Sequence, residues 1–412
     1  MESLFPLALI LVVAVLIGMR RLGRVDLPPW GVALGGGLLT VASGIISPTQ
    51  VLSAVHWDVL ATLACLFVIG AGLGRSSLAD GLLERLDRVP LSTATWGILL
   101  ASIALLSALV TNDAVAVIGT PFLLRFAERR GLPPVPLLLL LMAGITTGAV
   151  PSPLGSPQNL LIASAPGLEE PFVTFLVQLG PPTVFSLLLV LLLFRAILPH
   201  LERMPRVTLP AAEPGENGGP RTPSHLALAS LAILATLVTL EFGCGLLERP
   251  LDLPFAAIAL AGTLPLLLGR DRDRVVRAID WRTLLLFVGL FVLTEGVRSS
   301  GLVEESLAVA TGTPVALIGL AVLGSQVVSN VPLVAIALPF IEPHGTQALM
   351  ALAAGATIAG HLTPLGAASN LIVLQAAARR GVGIPLRLFV GFGLPLVLGQ
   401  GLCYTAWLIL VG

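Results

Sequence analysis

The sequence predicts an all-α polytopic membrane protein made of two inverted-topology repeats, with about ten transmembrane helices, two re-entrant hairpins and two broken helices. Three observations carry that expectation. The 412 residues are 56% hydrophobic and 11% charged, with a mean hydropathy of +0.97, well outside the range of soluble domains. A polar stretch inside an apolar run, Ser107 to Asp113, recurs from Ser325 to Asn330, with Ser107/Ser325, Thr111/Ser329, Asn112/Asn330 and Pro121/Pro339 each 218 residues apart. A second block, Pro153-Leu154-Gly155-Ser156-Pro157-Gln158-Asn159-Leu160, matches Pro364-Leu365-Gly366-Ala367-Ala368-Ser369-Asn370-Leu371 at an offset of 211, preceded by Gly144/Gly355 and Thr146/Thr357.

A helix needs about 20 apolar residues to cross a bilayer, which gives crossings at 3–19, 30–48 and 57–74. The first segment lacks a basic n-region and a small-residue cleavage site, so it reads as a helix and not as a signal peptide. An amphipathic connector runs from Leu78 to Arg88. Two apolar legs, 91–110 and 114–127, then meet at Thr111-Asn112-Asp113 with arginines at both outer ends, the pattern of a hairpin that enters and leaves on one side. The next segment, 134–165, is interrupted by Pro151, Pro153 and Pro157, which cannot donate helical hydrogen bonds. Unwound backbone at that depth survives only where protein buries it or a wet cavity borders it. Residues 172–197 close the first half.

The boundaries expected are a first repeat at 1–198, a solvated Pro- and Gly-rich linker at 199–224, and a second repeat at 225–412. The second half replays the first: crossings near 225–242, 253–269 and 282–297, hairpin legs 313–328 and 331–341, a broken segment 347–378 and a last crossing 387–411. Trp57 and Trp281, 224 residues apart, each open a crossing and suit interfacial anchors. Five crossings per copy would insert the second copy upside down. With both termini outside the cytoplasm, 21 of the 23 arginines fall on cytoplasmic segments, leaving Arg249 and Arg298 outside. The expected location is the cell (inner) membrane.

Composition excludes several functions. A net charge of zero argues against a nucleic-acid partner. Cys65, Cys244 and Cys403 are scattered and suggest packing residues, and no Cys/His spacing marks zinc or iron–sulfur. There is no His-Glu-x-x-His motif and no second intramembrane aspartate to pair with Asp113, so neither an enzyme nor a cofactor is expected. A channel would require a continuous pore in place of two capped hairpins.

Two tips and two broken helices approaching from opposite faces would meet near the midplane, where transporters of this design bind their cargo. The substrate candidates are Thr111, Asn112, Ser156, Gln158 and Asn159 from the first copy, with Ser329, Asn330, Thr363, Ser369 and Asn370 from the second. Coupling-ion candidates are Asn112, Asp113, Gly155, Asn330 and Gly366. None of these is basic, so an anion would rest on amides, hydroxyls and the helix N-termini expected after Asn112, Asn159, Asn330 and Asn370, each equivalent to roughly +0.5 charge. A sodium ion would use unwound carbonyls and Asn or Ser oxygens, with Asp113 the one tip carboxylate. The asparagines also suit interhelical glue. His361 reads as a packed residue or a proton relay, and Glu295 as interfacial.

These residues resemble the ion transporter superfamily, which includes divalent-anion/sodium symporters, citrate permeases, arsenite permeases and sodium/proton antiporters. The paired tips and the Pro-x-Gly-x-x-x-Asn loops behind them carry the resemblance. The first tip is more like the Asn-Asp tips of the arsenite permease branch; neither tip reads Ser-Asn-Thr as in the dicarboxylate branch. The resemblance implies a homodimer in which hairpin-bearing domains move against a scaffold. The function expected is secondary transport of a small anion or oxyanion with sodium or protons. The alternatives are an arsenite efflux permease or a sodium/proton antiporter.

Overall fold

The computed structural model describes residues 4–19, 21–22, 25–201, 222–299 and 313–411, and these are almost entirely helical. Most of the 199–224 linker, with Arg203, Arg206 and Arg221, lies outside the described residues. The first half comprises α1 (Leu4–Met19), α2 (Pro29–Ala42), α3 (Pro48–Ala54), α4 (Trp57–Gly74), α5 (Leu78–Leu86), α6 (Thr93–Leu109), α7 (Asn112–Arg130), α8 (Pro134–Ala149), α9 (Pro157–Ala163) and α10 (Pro171–Leu201). The second comprises α11 (Ser224–Leu246), α12 (Phe255–Leu267), α13 (Arg272–Arg277), α14 (Trp281–Ser299), α15 (Pro314–Val328), α16 (Asn330–Ile341), α17 (Thr346–Ile358), α18 (Ala368–Arg379) and α19 (Leu386–Val411). A two-residue-per-strand ribbon, Arg21–Leu22 with Val25–Asp26, follows α1.

Four of these helices are long and apolar enough to span a bilayer unaided: α4, α10, α11 and α19. Six shorter apolar helices accompany them. The protein is integral to the membrane, consistent with exposed leucines and valines along α10 and α19. The crossing expected at 30–48 is shorter: α2 ends at Ala42, and a separate capped helix, α3, begins after Ser47, whose hydroxyl and Gln50 form a capping box.

Packing follows one exchange rule. α4 of the first half packs on α12 of the second, and α14 of the second packs on α2 of the first. Each hairpin lies against the first half of its own broken helix and the second half of the other copy's: α6 and α7 on α8, α7 also on α18; α15 and α16 on α17, α16 also on α9. Every residue of α8 is buried, and α17 is buried from Ala348 to Ile358. A helix apolar on all sides belongs in the interior, and these two form the centre around which the hairpins sit.

The outer ends of the hairpins lie at opposite ends of α4. The first is tied to α5, just after the end of α4, by Arg125 Nη1–Asp80 and Arg129 Nη1–Asp87 at 2.9 Å and by Arg130 donating to the carbonyls of Leu86, Asp87 and Val89. The second ends at Glu342, which pairs with Arg298 of α14. Arg298 borders a small cavity with His56, the residue before α4.

Candidate functional site

Each tip turns on a residue with positive φ that is not glycine: Thr111 at 124° and Ser329 at 70°. Side chains with a Cβ avoid this region, a β-branched threonine most of all, so the conformation is held by its surroundings. Thr111 Oγ1 accepts from Ala114 N and caps α7, while at the second tip Asn330 Oδ1 accepts from Val331 N. Thr111, Asn112 and Asn330 are buried.

The broken helices repeat two hydrogen bonds at the sequence offsets. Asn159 Nδ2 donates to Ala149 O at 2.9 Å, and Asn370 Nδ2 donates to Gly360 O at 2.6 Å, both residues 211 positions apart. Ser152 Oγ donates to Ala108 O of the first hairpin, and Thr363 Oγ1 donates to Gln326 Oε1 of the second. The glycines have a matching role: a Cβ on Gly155 would stand 2.3 Å from Ala149 O, and one on Gly366 would stand 2.4 Å from Ala359 O. Only glycine lets the loop fold back onto the preceding carbonyls.

Asn159 is the most heavily used of these side chains. Its Nδ2 also faces Val150 O and Ser152 O, and its Oδ1 accepts from Thr357 Oγ1 of the other half. Gln158 Nε2 reaches the same Thr357 hydroxyl at 3.4 Å, and Ser156 Oγ accepts from Asn159 N. The helix starts expected after Asn159 and Asn370 fall earlier: α9 begins at Pro157 behind a Ser156 cap, and α18 at Ala368. The proline and the serine hydroxyl set the first of these starts.

A cavity of about 280 Å³ lies where the four elements meet, bordered by Asp113 of the first tip, Ser329, Asn330 and Val331 of the second, Pro157 at the start of α9 and Ala368 at the start of α18. Thr111, Asn112, Gln158, Asn159, Ser369 and Asn370 are buried and do not border the cavity. Among the described residues, five oxygens in this region are buried without a hydrogen-bond partner: Asn112 Oδ1, Asp113 Oδ1, Gln158 Oε1, Ser325 Oγ and Ser369 Oγ. An unpartnered buried polar atom costs about 1–3 kcal/mol, and such a concentration marks a place built for a polar ligand or cation. Among the described residues no three His, Cys, Asp or Glu side chains gather as a metal site.

The cavity also contains a residue that sequence reasoning did not place there. Arg282, with Thr283, borders it from the start of α14, 169 residues from Asp113. Its position directly after Trp281 was the available signal, since that tryptophan opens the copy of α4. His361 is away from the cavity, buried with Nε2 3.2 Å from Thr147 Oγ1, which also accepts from Gln400. Glu295 is half-buried beside Arg298 at the other end of α14.

Comparison with known proteins gives consistent results. Residues 11–347 match the family model described as citrate transporter. An uncharacterized transporter of Mycobacterium tuberculosis is 27% identical over 390 residues, covering 86% of this chain and 87% of the relative. The silicon efflux transporter LSI3 of Oryza sativa subsp. japonica is 27% identical over 424 residues, covering 84% of each. The crystal structure of the Alcanivorax borkumensis YdaH transporter shares the fold, with a TM-score of 0.52 and 18% identity over 98% of this chain and 97% of that one.

Proposed function

The chain belongs to the citrate transporter family, and we propose that it is a secondary active transporter of a small anion or oxyanion, coupled to sodium or protons. The observation that carries this is the cavity at which both hairpin tips and both half-helix starts converge, with the unpartnered Asp113 Oδ1 at its wall. Substrate would contact Ser329 and Asn330 directly. Asn112, Ser156, Gln158, Asn159, Thr363, Ser369 and Asn370 would fix the loops that shape the site, and Thr111 would hold the strained turn. The coupling ion would sit by Asp113 and Asn112, near the carbonyls over which Gly155 and Gly366 fold.

Repeats at 1–198 and 225–412, inserted in opposite senses, are supported by the exchanged packing of α4 on α12 and α14 on α2 and by hairpin ends at opposite ends of α4. An elevator-type movement in a homodimer, with both termini outside, completes the reading. Single cysteines at Asp273 and Glu169 should then label from opposite sides of intact cells. Same-side labelling would rule the arrangement out.

The rice relative, a silicon efflux transporter, favours a second reading, export of a weakly acidic oxyacid. Uptake and efflux in proteoliposomes separate the two. Dicarboxylates, citrate, sulfate, phosphate, arsenite and silicic acid would be tested under an imposed sodium gradient and then a proton gradient. Gradient-driven accumulation of any one supports the proposal, and leakage indifferent to both gradients rejects it.

A further inference from the structure

We propose that Arg282 sets the charge of the substrate: its guanidinium takes the anionic group of a small oxyacid carrying at most one negative charge, while Asp113 on the same cavity disfavours dianions and trianions. The proposal rests on the cavity being the transporter's substrate site. Arg282 is exposed and, among the described residues, makes no ion pair. Arg75, Arg125, Arg129 and Arg298 all do. The acid nearest to it in sequence, Asp280, turns its oxygens to the start of α14, while its charge still acts on Asp113. Its Oδ1 accepts from Arg282 N and Thr283 N, and its Oδ2 from Thr283 Oγ1, so it caps α14 and leaves the guanidinium to the cavity.

The charge limit follows from the cavity wall. One guanidinium binds one carboxylate or oxyanion group through a two-pronged fork, and among the described residues Arg282 is the one cation on this wall. Among the described residues Asp113 is the one acid on this wall, and Asp280 lies close enough for its charge to act on Asp113, so once a coupling cation or proton balances Asp113 at most a single positive charge remains for substrate. A second and third carboxylate would find only the neutral groups of Thr283, Gln326, Ser329 and Asn330 and the apolar Trp30, Leu286, Phe287 and Leu365, none of which balances their charge. A volume of about 280 Å³ is at the small end for ligand sites, which suits a compact molecule.

Binding to the full-length protein in detergent tests this without requiring transport. Lactate, succinate and citrate serve as mono-, di- and trianion, and orthosilicic acid as the neutral oxyacid, all at fixed sodium in divalent-free buffer. Lactate should bind at least about tenfold tighter than succinate or citrate. Arg282→Gln should weaken lactate about tenfold, clearly more than silicic acid, and Arg282→Lys should recover most of the loss. Arg272→Gln, an exposed residue on α13, is the control that leaves all four unchanged. The variants' melting temperatures check folding. Equal binding of all three anions, equal weakening of lactate and silicic acid by Arg282→Gln, or no binding of any probe overturns the proposal. Charge-selective binding without movement in liposomes sustains it and overturns the transporter reading instead.

Discussion

At the first hairpin Thr111 caps α7 through its own hydroxyl, and three arginines fasten the outer end to α5 and the segment after it. At the second, the Ser329 hydroxyl reaches only Asn330 Oδ1 at 3.5 Å, and the outer end is held by the Arg298–Glu342 pair. The broken helices differ in the same direction: Asn159 gathers three carbonyls and a threonine from the other half, whereas Asn370 donates to Gly360 O. The repeat preserves the turn while the strength of its fastening has diverged. The first copy is the more firmly anchored, and it also carries Asp113 where the second has Val331.

The largest expected effect tests that difference. Asn159→Ala strips partners from several buried carbonyls and from Thr357, each worth about 1–3 kcal/mol, and should destabilise by roughly 3 kcal/mol or more; Asn370→Ala should cost about 1–2 kcal/mol. Denaturant or thermal melting in detergent measures both, and equal losses would contradict the asymmetry.

Next come the glycines, where the copies should behave alike. Gly155→Ala and Gly366→Ala each drive a methyl into a carbonyl, an overpacking of about 1–3 kcal/mol. A substitution tolerated at one position and not at the other would show that one loop can relax.

Asp113→Asn is expected to abolish the dependence of transport on the coupling ion, a drop in gradient-driven accumulation of about tenfold or more, near 1.4 kcal/mol. Substrate binding should stay measurable. Val331→Ala, at the same place in the second tip, should leave the dependence intact. Flux of Asp113→Asn with its full ion dependence would move the coupling site elsewhere.

The smallest effect concerns strain. Ser329→Gly relieves a positive φ and gives up one long hydrogen bond, so it should stabilise by about 1 kcal/mol. Thr111→Gly gains the same relief but loses the α7 cap, worth about 0.5–2 kcal/mol, and should be close to neutral. A stabilised Thr111→Gly would mean that its cap contributes little.

Much of the architecture was legible because it is written in local chemistry. Prolines that cannot continue a helix marked the breaks, the recurring Asn and Gly spacing marked the copies, and Trp57 and Trp281 are the first residues of α4 and α14. Positions within the site were less legible. The helix start at Pro157 depends on a Ser156 cap inside a proline-rich stretch, and the expected 30–48 crossing stops at Ala42, just before a glycine, Gly44, with φ of 74°.

By itself the sequence determined that the chain lives in a membrane, that its tip and loop motifs recur, and which short polar stretches interrupt it, since each follows from hydropathy, spacing and the backbone limits of proline and glycine. Tertiary structure alone decided which polar atoms face the cavity and which satisfy neighbouring carbonyls. Asn159 of a broken-helix loop and Asn330 of a hairpin tip both belong to the recurring motifs, yet one is consumed by loop carbonyls and the other borders the cavity. Arg282 and Asp113 border one cavity from helices far apart in the chain, a juxtaposition made only by the packing of several helices. Hydrogen-bond partners are assigned by geometry among several helices, and no single segment contains that information.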